Sequence, residues 1–147
     1  MVSRQSTAAL LLLLERKTRF SLITKLHQKT AAENAQRISA RLQGLPHPLR
    51  QTITYDNGSE NTEHETVNRD LLTRSYFCAP YHSREKGSIE NAAGLVRRFF
   101  PKKTDFATVT ASEIAAVEIL LNNRPQKCLN YLRPLEAFSN ECVVLNF

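Results

Sequence analysis

Residues Thr52 to Glu60 read TITYDNGSE, an alternating, β-branched run that delivers one aspartate onto an Asn-Gly pair. In a strand, successive side chains point to opposite faces, so Ile53 and Tyr55 share one face and Thr52, Thr54 and Asp56 the other. The spacing predicts a strand over 51–56 with a carboxylate leaving its end. Upstream, 8–14 and 20–26 are apolar runs separated by polar Glu15-Arg-Lys-Thr-Arg19, which suits a hairpin in a sheet covered on both faces. Thr30-Ala-Ala-Glu33 is a capping box that opens a helix over about 31–43, with Ile38, Leu42 and Leu45 on its apolar face; the Gly44 to Pro48 segment ends it.

Downstream, Thr62-Glu-His-Glu65 is a second capping box, opening a short helix through Leu72. Residues 75–79 read as a short strand broken by Pro80. From Gly87 to Phe100, Ile89, Ala92, Ala93, Val96, Phe99 and Phe100 recur at helical spacing, with Glu90, Gly94 and Arg97 on a neighbouring face. Pro101 stops that helix. Thr110-Ala-Ser-Glu113 is a third box, and Ile114, Val117, Leu120 and Leu121 mark a last amphipathic helix that ends before Pro125. Strand-helix-strand order points to an α/β fold.

The 147 residues, 41% hydrophobic, suit one ordinary domain with a real core. Twenty Lys plus Arg against fourteen Asp plus Glu give +6 and a pI near 9.5, which favours a polyanionic partner, nucleic acid first. Cys78, Cys128 and Cys142 are far apart with no C-x-x-C pair, so neither a disulfide framework nor a zinc knuckle is indicated; they read as core thiols in a reducing cytosol. The apolar run 8–14 is far shorter than the roughly 20 residues a membrane span needs, and no membrane partner is expected.

Two carboxylates carry candidate chemistry. Asp56 ends a strand and Glu90 sits on the shoulder of a helix thirty-three intervening residues later. Convergent carboxylates are what Mg²⁺ needs, because it is a hard cation bound by few protein oxygens plus water and phosphate oxygens. By spacing alone the alternatives stay open: Asp-Asn-Gly is also turn chemistry, and a helix glutamate is most often a solvated side chain.

Five segments share a further pattern: LLERKTRF (13–20), YDNGSE (55–60), YFCAPYHSREKGSIEN (76–91), GLVRRFFPKKTDF (94–106) and LNNRPQKCLNYLRPLEAF (121–138). Together, and in this order, they resemble the catalytic core of insertion-sequence-30-family bacterial transposases. The resemblance implies a ribonuclease-H-like, retroviral-integrase-like core of the DDE class, with core motifs over 8–138 and a tail over 139–147. It makes Asp56 the second acid and Glu90 the third, both holding Mg²⁺ or Mn²⁺. Arg97, Arg98, Lys102 and Lys103, with Arg84 and Lys86, would contact DNA. The implied reaction is metal-dependent hydrolysis of a phosphodiester at the element's end, then attack of the freed 3′-hydroxyl on target DNA. Transposon ends, target DNA and another transposase copy are the implied partners, in a bacterial cytoplasm at the nucleoid.

The first acid has no counterpart. The aspartates are Asp56, Asp70 and Asp105, so none precedes Asp56; Glu15 sits at a turn and Glu33 is explained by its capping box. The resemblance places the first acid on a central strand just before the segment matching Met1 to Gln5. The chain thus reads as an N-terminally truncated core, expected to be inactive alone. Its two neighbouring strands, 8–14 and 51–56, are expected to expose unpaired ladder groups. The rival reading is a non-catalytic DNA-binding or transposase-interacting remnant. Arg84 and Ala93 depart from residues frequent in the family, and His82 lies in the loop before Glu90.

Overall fold

The structure, a computed structural model, describes residues 1–3, 5–79 and 83–145, with the side chains of 83–85, 144 and 145 left aside. Strands β1 (Ala9–Leu14) and β2 (Ser21–Leu26) form an antiparallel hairpin in which Leu11 faces Thr24 and Leu14 faces Ser21. The Glu15 carboxylate closes the connection by accepting the Lys17 and Thr18 N–H groups at 3.0 and 2.6 Å. The leucine run is continuous because both faces are covered, as expected. Ala8, Leu10 and Ile23 join Val96, Phe100, Phe106, Ile114, Val117 and Leu121 on one side. Leu11, Leu13 and Leu22 pack on the other against a cluster that includes Ile38, Leu42, Tyr55 and Val67.

Strands β3 (Thr52–Tyr55) and β4 (Arg74–Phe77) pair in parallel, Thr52 beside Arg74 and Tyr55 beside Phe77. The alternation read from TITY holds: Tyr55 is buried and Ile53 half-buried, whereas Thr52, Thr54 and Asp56 are exposed. Burial pushes the Tyr55 phenol up to about 12. The nearby Ser75 hydroxyl, which would moderate this, is given to Asn68 Oδ1 at 2.7 Å, leaving the phenol oxygen without a partner among the described residues.

These are two separate two-stranded sheets. Among the described residues, the β1 edge facing away from β2 is met only by residues 1–3: Leu10 N–H donates to the Met1 carbonyl and the Met1 ammonium to the Leu10 carbonyl, both at 2.8 Å, and Ser3 N–H reaches the Ala8 carbonyl at 3.2 Å. Alternation turns the peptide groups of Leu12 and Leu14 to that same edge, and they have no partner among the described residues. Thr52 and Thr54 present the corresponding edge of β3, unpaired among the described residues. The unpaired ladder groups expected between the two strands are therefore present.

Helix α1 (Ala31–Leu42) is capped by Thr30, whose hydroxyl accepts Glu33 N–H at 3.3 Å. The box is only half formed. The Glu33 carboxylate reaches past Thr30 to the His27 and Gln28 N–H groups at 2.9 and 2.7 Å. The second box does not form at all. A 3₁₀ turn over Ser59–Asn61 precedes it and leaves Thr62 at φ −67, ψ −24, a helical conformation that a capping residue does not have, so α2 (His64–Leu71) starts later. Helix α3 (Ser83–Phe99) begins four residues before Gly87; Pro80, the expected strand breaker, lies outside the described residues. The third box is complete: Thr110 Oγ1 accepts Glu113 N–H at 3.2 Å and the Glu113 carboxylate accepts Thr110 N–H at 2.7 Å, opening α4 (Ala111–Asn122).

Helix α4 is not the last. Helix α5 (Pro134–Leu145) replaces most of the expected tail, held by Phe138 stacked on Phe20 with centroids 4.3 Å apart. Sequence periodicity also overstated the core: Phe99 is 45% and Leu120 55% exposed, because the buried stripe of each helix is one residue narrower than read. Of the thiols expected in the core, Cys78 is buried, Cys142 half-buried and Cys128 exposed on a 3₁₀ turn over Lys127–Leu129. Among the described residues no helix is long and apolar enough to cross a membrane.

Candidate active site

Asp56 follows the last residue of β3 and is exposed. Its Oδ1 accepts the Gly58 N–H at 3.2 Å, an Asx turn, and the Asn61 amide at 2.7 Å. Turn chemistry is thus real, but it occupies one carboxylate oxygen; among the described residues Oδ2 receives no hydrogen bond. Gly58 has φ −72 and is not used for left-handed freedom. A side chain there would collide with the Glu60 carboxylate, which folds back over it towards Lys29 Nζ at 3.3 Å. Asn57 fastens the loop to the end of β4 by donating to the Cys78 carbonyl at 2.9 Å.

Glu90 is exposed on α3, which packs against β1 and brings Val96 into one cluster with Ala8 and Leu10. Arg97, seven positions on and two turns along, returns to the same helix face and is half-buried. Arg98, Lys102 and Lys103 are exposed where the helix ends, and Lys86 is half-buried nearer its start. The Arg84 side chain and His82 lie outside the described residues.

The Met1 ammonium donates to the Leu10 carbonyl on β1 and feels the charges of both the loop and the helix. Its pKa is lowered chiefly by burial, then by the charges of Arg97 and Lys29, with Glu60 and Asp56 opposing. Glu15 and Glu33, the other upstream carboxylates, are taken up by backbone N–H groups of their own turns.

The donor chemistry fits a hard divalent cation. Asp56 offers a free carboxylate oxygen and Glu90 an exposed carboxylate, and Mg²⁺ is commonly held by one or two such groups with water and substrate phosphate completing its shell. No group of three or more His, Cys, Asp or Glu side chains set to hold a metal occurs among the described residues. His64 packs edge-on to Phe77, with ring centroids 4.9 Å apart.

Sequence reasoning missed Asn34 and Asn61, which link α1 to the Asp56 loop, and Arg19, whose guanidinium donates to Ser88 Oγ on α3. Nothing in the spacing of these residues announces them; they meet only through the packing of elements distant in sequence.

No protein-family model matches the chain. It is 41% identical over 137 residues to the transposase of insertion sequence element IS4351 from Bacteroides fragilis, covering 93% of this chain and 42% of that protein. It is 39% identical over 127 residues to the transposase of IS1086 from Cupriavidus metallidurans, covering 86% and 38%. With the transposase InsI of IS30A from Escherichia coli it shares 35% over 136 residues, covering 92% and 36%. The chain thus spans about two fifths of these relatives' length. Among solved structures, the catalytic core domain of BIV integrase superposes with TM-score 0.78 at 15% identity, covering all of this chain and 94% of that one. A chain of the simian T-cell lymphotropic virus intasome gives 0.73 at 15%, covering 94% and 50%. The ribonuclease-H-like fold class read from the sequence is the one these neighbours have. In sequence, over most of its length, the chain is related to the insertion-sequence-30 family of transposases, and its fold is that of retroviral integrase catalytic cores.

Proposed function

We propose that these residues form the catalytic part of a DDE-type transposase, acting on transposon ends and target DNA, with Asp56 and Glu90 as two of its acids. The observation that carries the reading is the Asp56 carboxylate, exposed at a strand end with one oxygen fixed and the other without a hydrogen bond among the described residues. A divalent cation such as Mg²⁺, held by Asp56 and Glu90, would supply charge stabilisation for the attacking and leaving oxygens of a phosphodiester. The protein's own part is to fix one Asp56 oxygen with the Gly58 N–H and the Asn61 amide and to grip the DNA backbone. Arg97, Arg98, Lys102, Lys103, Lys86 and Arg84 would neutralise phosphates, positioning the duplex without reading its sequence.

These residues contain no aspartate before Asp56, so the first acid is not among them. On this reading the 147 residues alone do not cleave DNA. Purified protein, with Mg²⁺ or Mn²⁺ and a duplex carrying the inverted ends of a related element, is expected to bind the duplex and leave its strands intact. Metal-dependent nicking that disappears in Glu90→Gln would overturn the inactivity while supporting the acid assignment. A second reading, a DNA-binding remnant that interferes with an intact transposase, is favoured by the exposed basic end of α3. It predicts lower transposition by a full-length copy when this chain is co-expressed, and normal transposition would remove it.

A further inference from the structure

Two buried asparagines stand behind Asp56. Asn34, on α1, is 3% exposed, and Asn61, at the end of the Ser59–Asn61 turn, is 8% exposed. A buried amide is costly unless its polar atoms are paired. Asn34 Nδ2 donates to the Glu60 carbonyl and to Asn61 Oδ1, both at 3.0 Å. Asn61 Nδ2 in turn donates to Asp56 Oδ1 at 2.7 Å and to the Asp56 carbonyl at 3.0 Å.

The orientation of both amides follows from chemistry. A backbone carbonyl only accepts, so Glu60 requires the amino group of Asn34 to face it. That amino group makes Asn61 Oδ1 the acceptor, which turns the Asn61 amino group towards Asp56. At the other end the Asp56 carbonyl, also an acceptor only, demands the same orientation independently. The chain of hydrogen bonds has one polarity, and it ends on one carboxylate oxygen.

We propose that Asn61, oriented by Asn34, is a positioning residue that locks the Asp56 carboxylate so that Oδ2 is presented to a divalent cation. The inference rests on Asp56 being a metal ligand. A carboxylate at an exposed strand end would otherwise rotate freely about its last bond. Here Asn61 and the Gly58 N–H both engage Oδ1, fixing the carboxylate plane. The lock is anchored outside the loop, because Asn34 belongs to a helix whose register is set by buried Ala35, Ile38 and Leu42. Hydrogen-bond partners of ligating carboxylates orient them and raise metal affinity, typically by about 10–100-fold.

The test is a Mn²⁺ titration of the full chain, with free Mn²⁺ followed by electron paramagnetic resonance. Asp56→Asn is expected to remove the site, and Asn61→Leu to weaken binding by about 10–100-fold. The double variant Asn34→Leu/Asn61→Leu leaves neither amide buried and unpaired but takes donors from the Glu60 and Asp56 carbonyls, so it is expected to unfold below the wild-type temperature yet remain folded at 25 °C while binding Mn²⁺ as weakly as Asn61→Leu. Wild-type affinity in the folded double variant, with Asp56→Asn deficient, overturns the positioning role and leaves the metal site standing. No Mn²⁺ binding by the wild type, or binding untouched by Asp56→Asn, overturns the metal reading and this inference with it. Should the leucine variants fail to fold, the wild type still decides. In a Mg²⁺ titration by nuclear magnetic resonance, the Asn61 side-chain amide must shift along the same saturation curve as the Asp56 backbone amide, and an Asn61 resonance that stays fixed sinks the proposal.

Discussion

Asn122 serves Ser21 as a substitute strand partner: its Nδ2 donates to the Ser21 carbonyl and its Oδ1 accepts the Ser21 N–H, both at 2.8 Å. Glu118, one turn earlier on α4, accepts the Ile23 N–H at 2.7 Å and is itself gripped by Arg41 from α1 at 2.7 Å. The outer edge of β2 is thereby closed by side chains, which protects it from pairing with another chain. Asn122→Ala strands two buried backbone groups and is expected to cost about 2–4 kcal/mol. Urea unfolding measures the loss, and light scattering should report association that the wild type does not show.

This edge also marks where sequence reasoning stopped. The strands were legible because TITY alternates and the leucine run is too short for a membrane and too apolar for a surface. The third capping box was legible because both of its bonds are local. The second was not, since whether Thr62 can cap depends on the turn that precedes it, a property of the folded loop. In the candidate site, Asp56 and Glu90 were visible as residue types, whereas the Asn34–Asn61 support was not. Its members lie 27 positions apart on different elements, and asparagine carries no pattern that marks such a pair.

Leu72 ends α2 in the left-handed region, at φ 56 and ψ 44, with 76% of its surface exposed. A branched side chain gains nothing from burial there and carries the steric penalty of that conformation, on the order of 1–2 kcal/mol. Leu72→Gly is expected to stabilise the protein by about 0.5–1 kcal/mol, after allowing for the added freedom of glycine in the unfolded chain. A lower urea midpoint than wild type would show that the turn is shaped by something other than this residue's backbone.

Phe20 and Phe138 stack at 4.3 Å with ring planes 12° apart, joining the hairpin turn to α5. A double-mutant cycle with leucine at each position isolates their interaction, expected at about 0.5–1.5 kcal/mol. Coupling near zero would mean that α5 is held by its other contacts, chiefly those with α4.

Asp105 holds the segment after Met1 to the loop following α3. It accepts the Ser6 hydroxyl at 2.5 Å, the Ala107 N–H at 3.0 Å and the Ser3 hydroxyl at 3.1 Å. The Ser6 bond chiefly, with those of Ala107 and Ser3 and the nearby Lys25 charge, keeps its carboxyl below the usual carboxylate range. A folded-state pKa below the unfolded one means stabilisation that is fully present above the unfolded pKa, about 4, and is lost as pH falls through the folded value. Asp105→Asn is therefore expected to lose stability at neutral pH and to show a flatter decline below about pH 4. Thermal melts of both proteins across that range check it; parallel acid limbs would count against the role.

Lys102 and Lys103 are exposed just beyond the end of α3, where Arg97 and Arg98 lie in its last turn. Each phosphate neutralised by a cation contributes about −0.9 to the slope of log binding constant against log salt. Replacing both lysines by alanine is expected to make that slope shallower by about 1.8, and Arg97→Ala by about 0.9, with weakening that is uniform across duplex sequences. Fluorescence anisotropy with a labelled duplex over a series of salt concentrations gives the slopes directly. An unchanged slope for the lysine pair alongside a reduced one for Arg97→Ala would confine the DNA path to the Glu90 face of the helix, and unchanged slopes for both would place the DNA elsewhere on the protein.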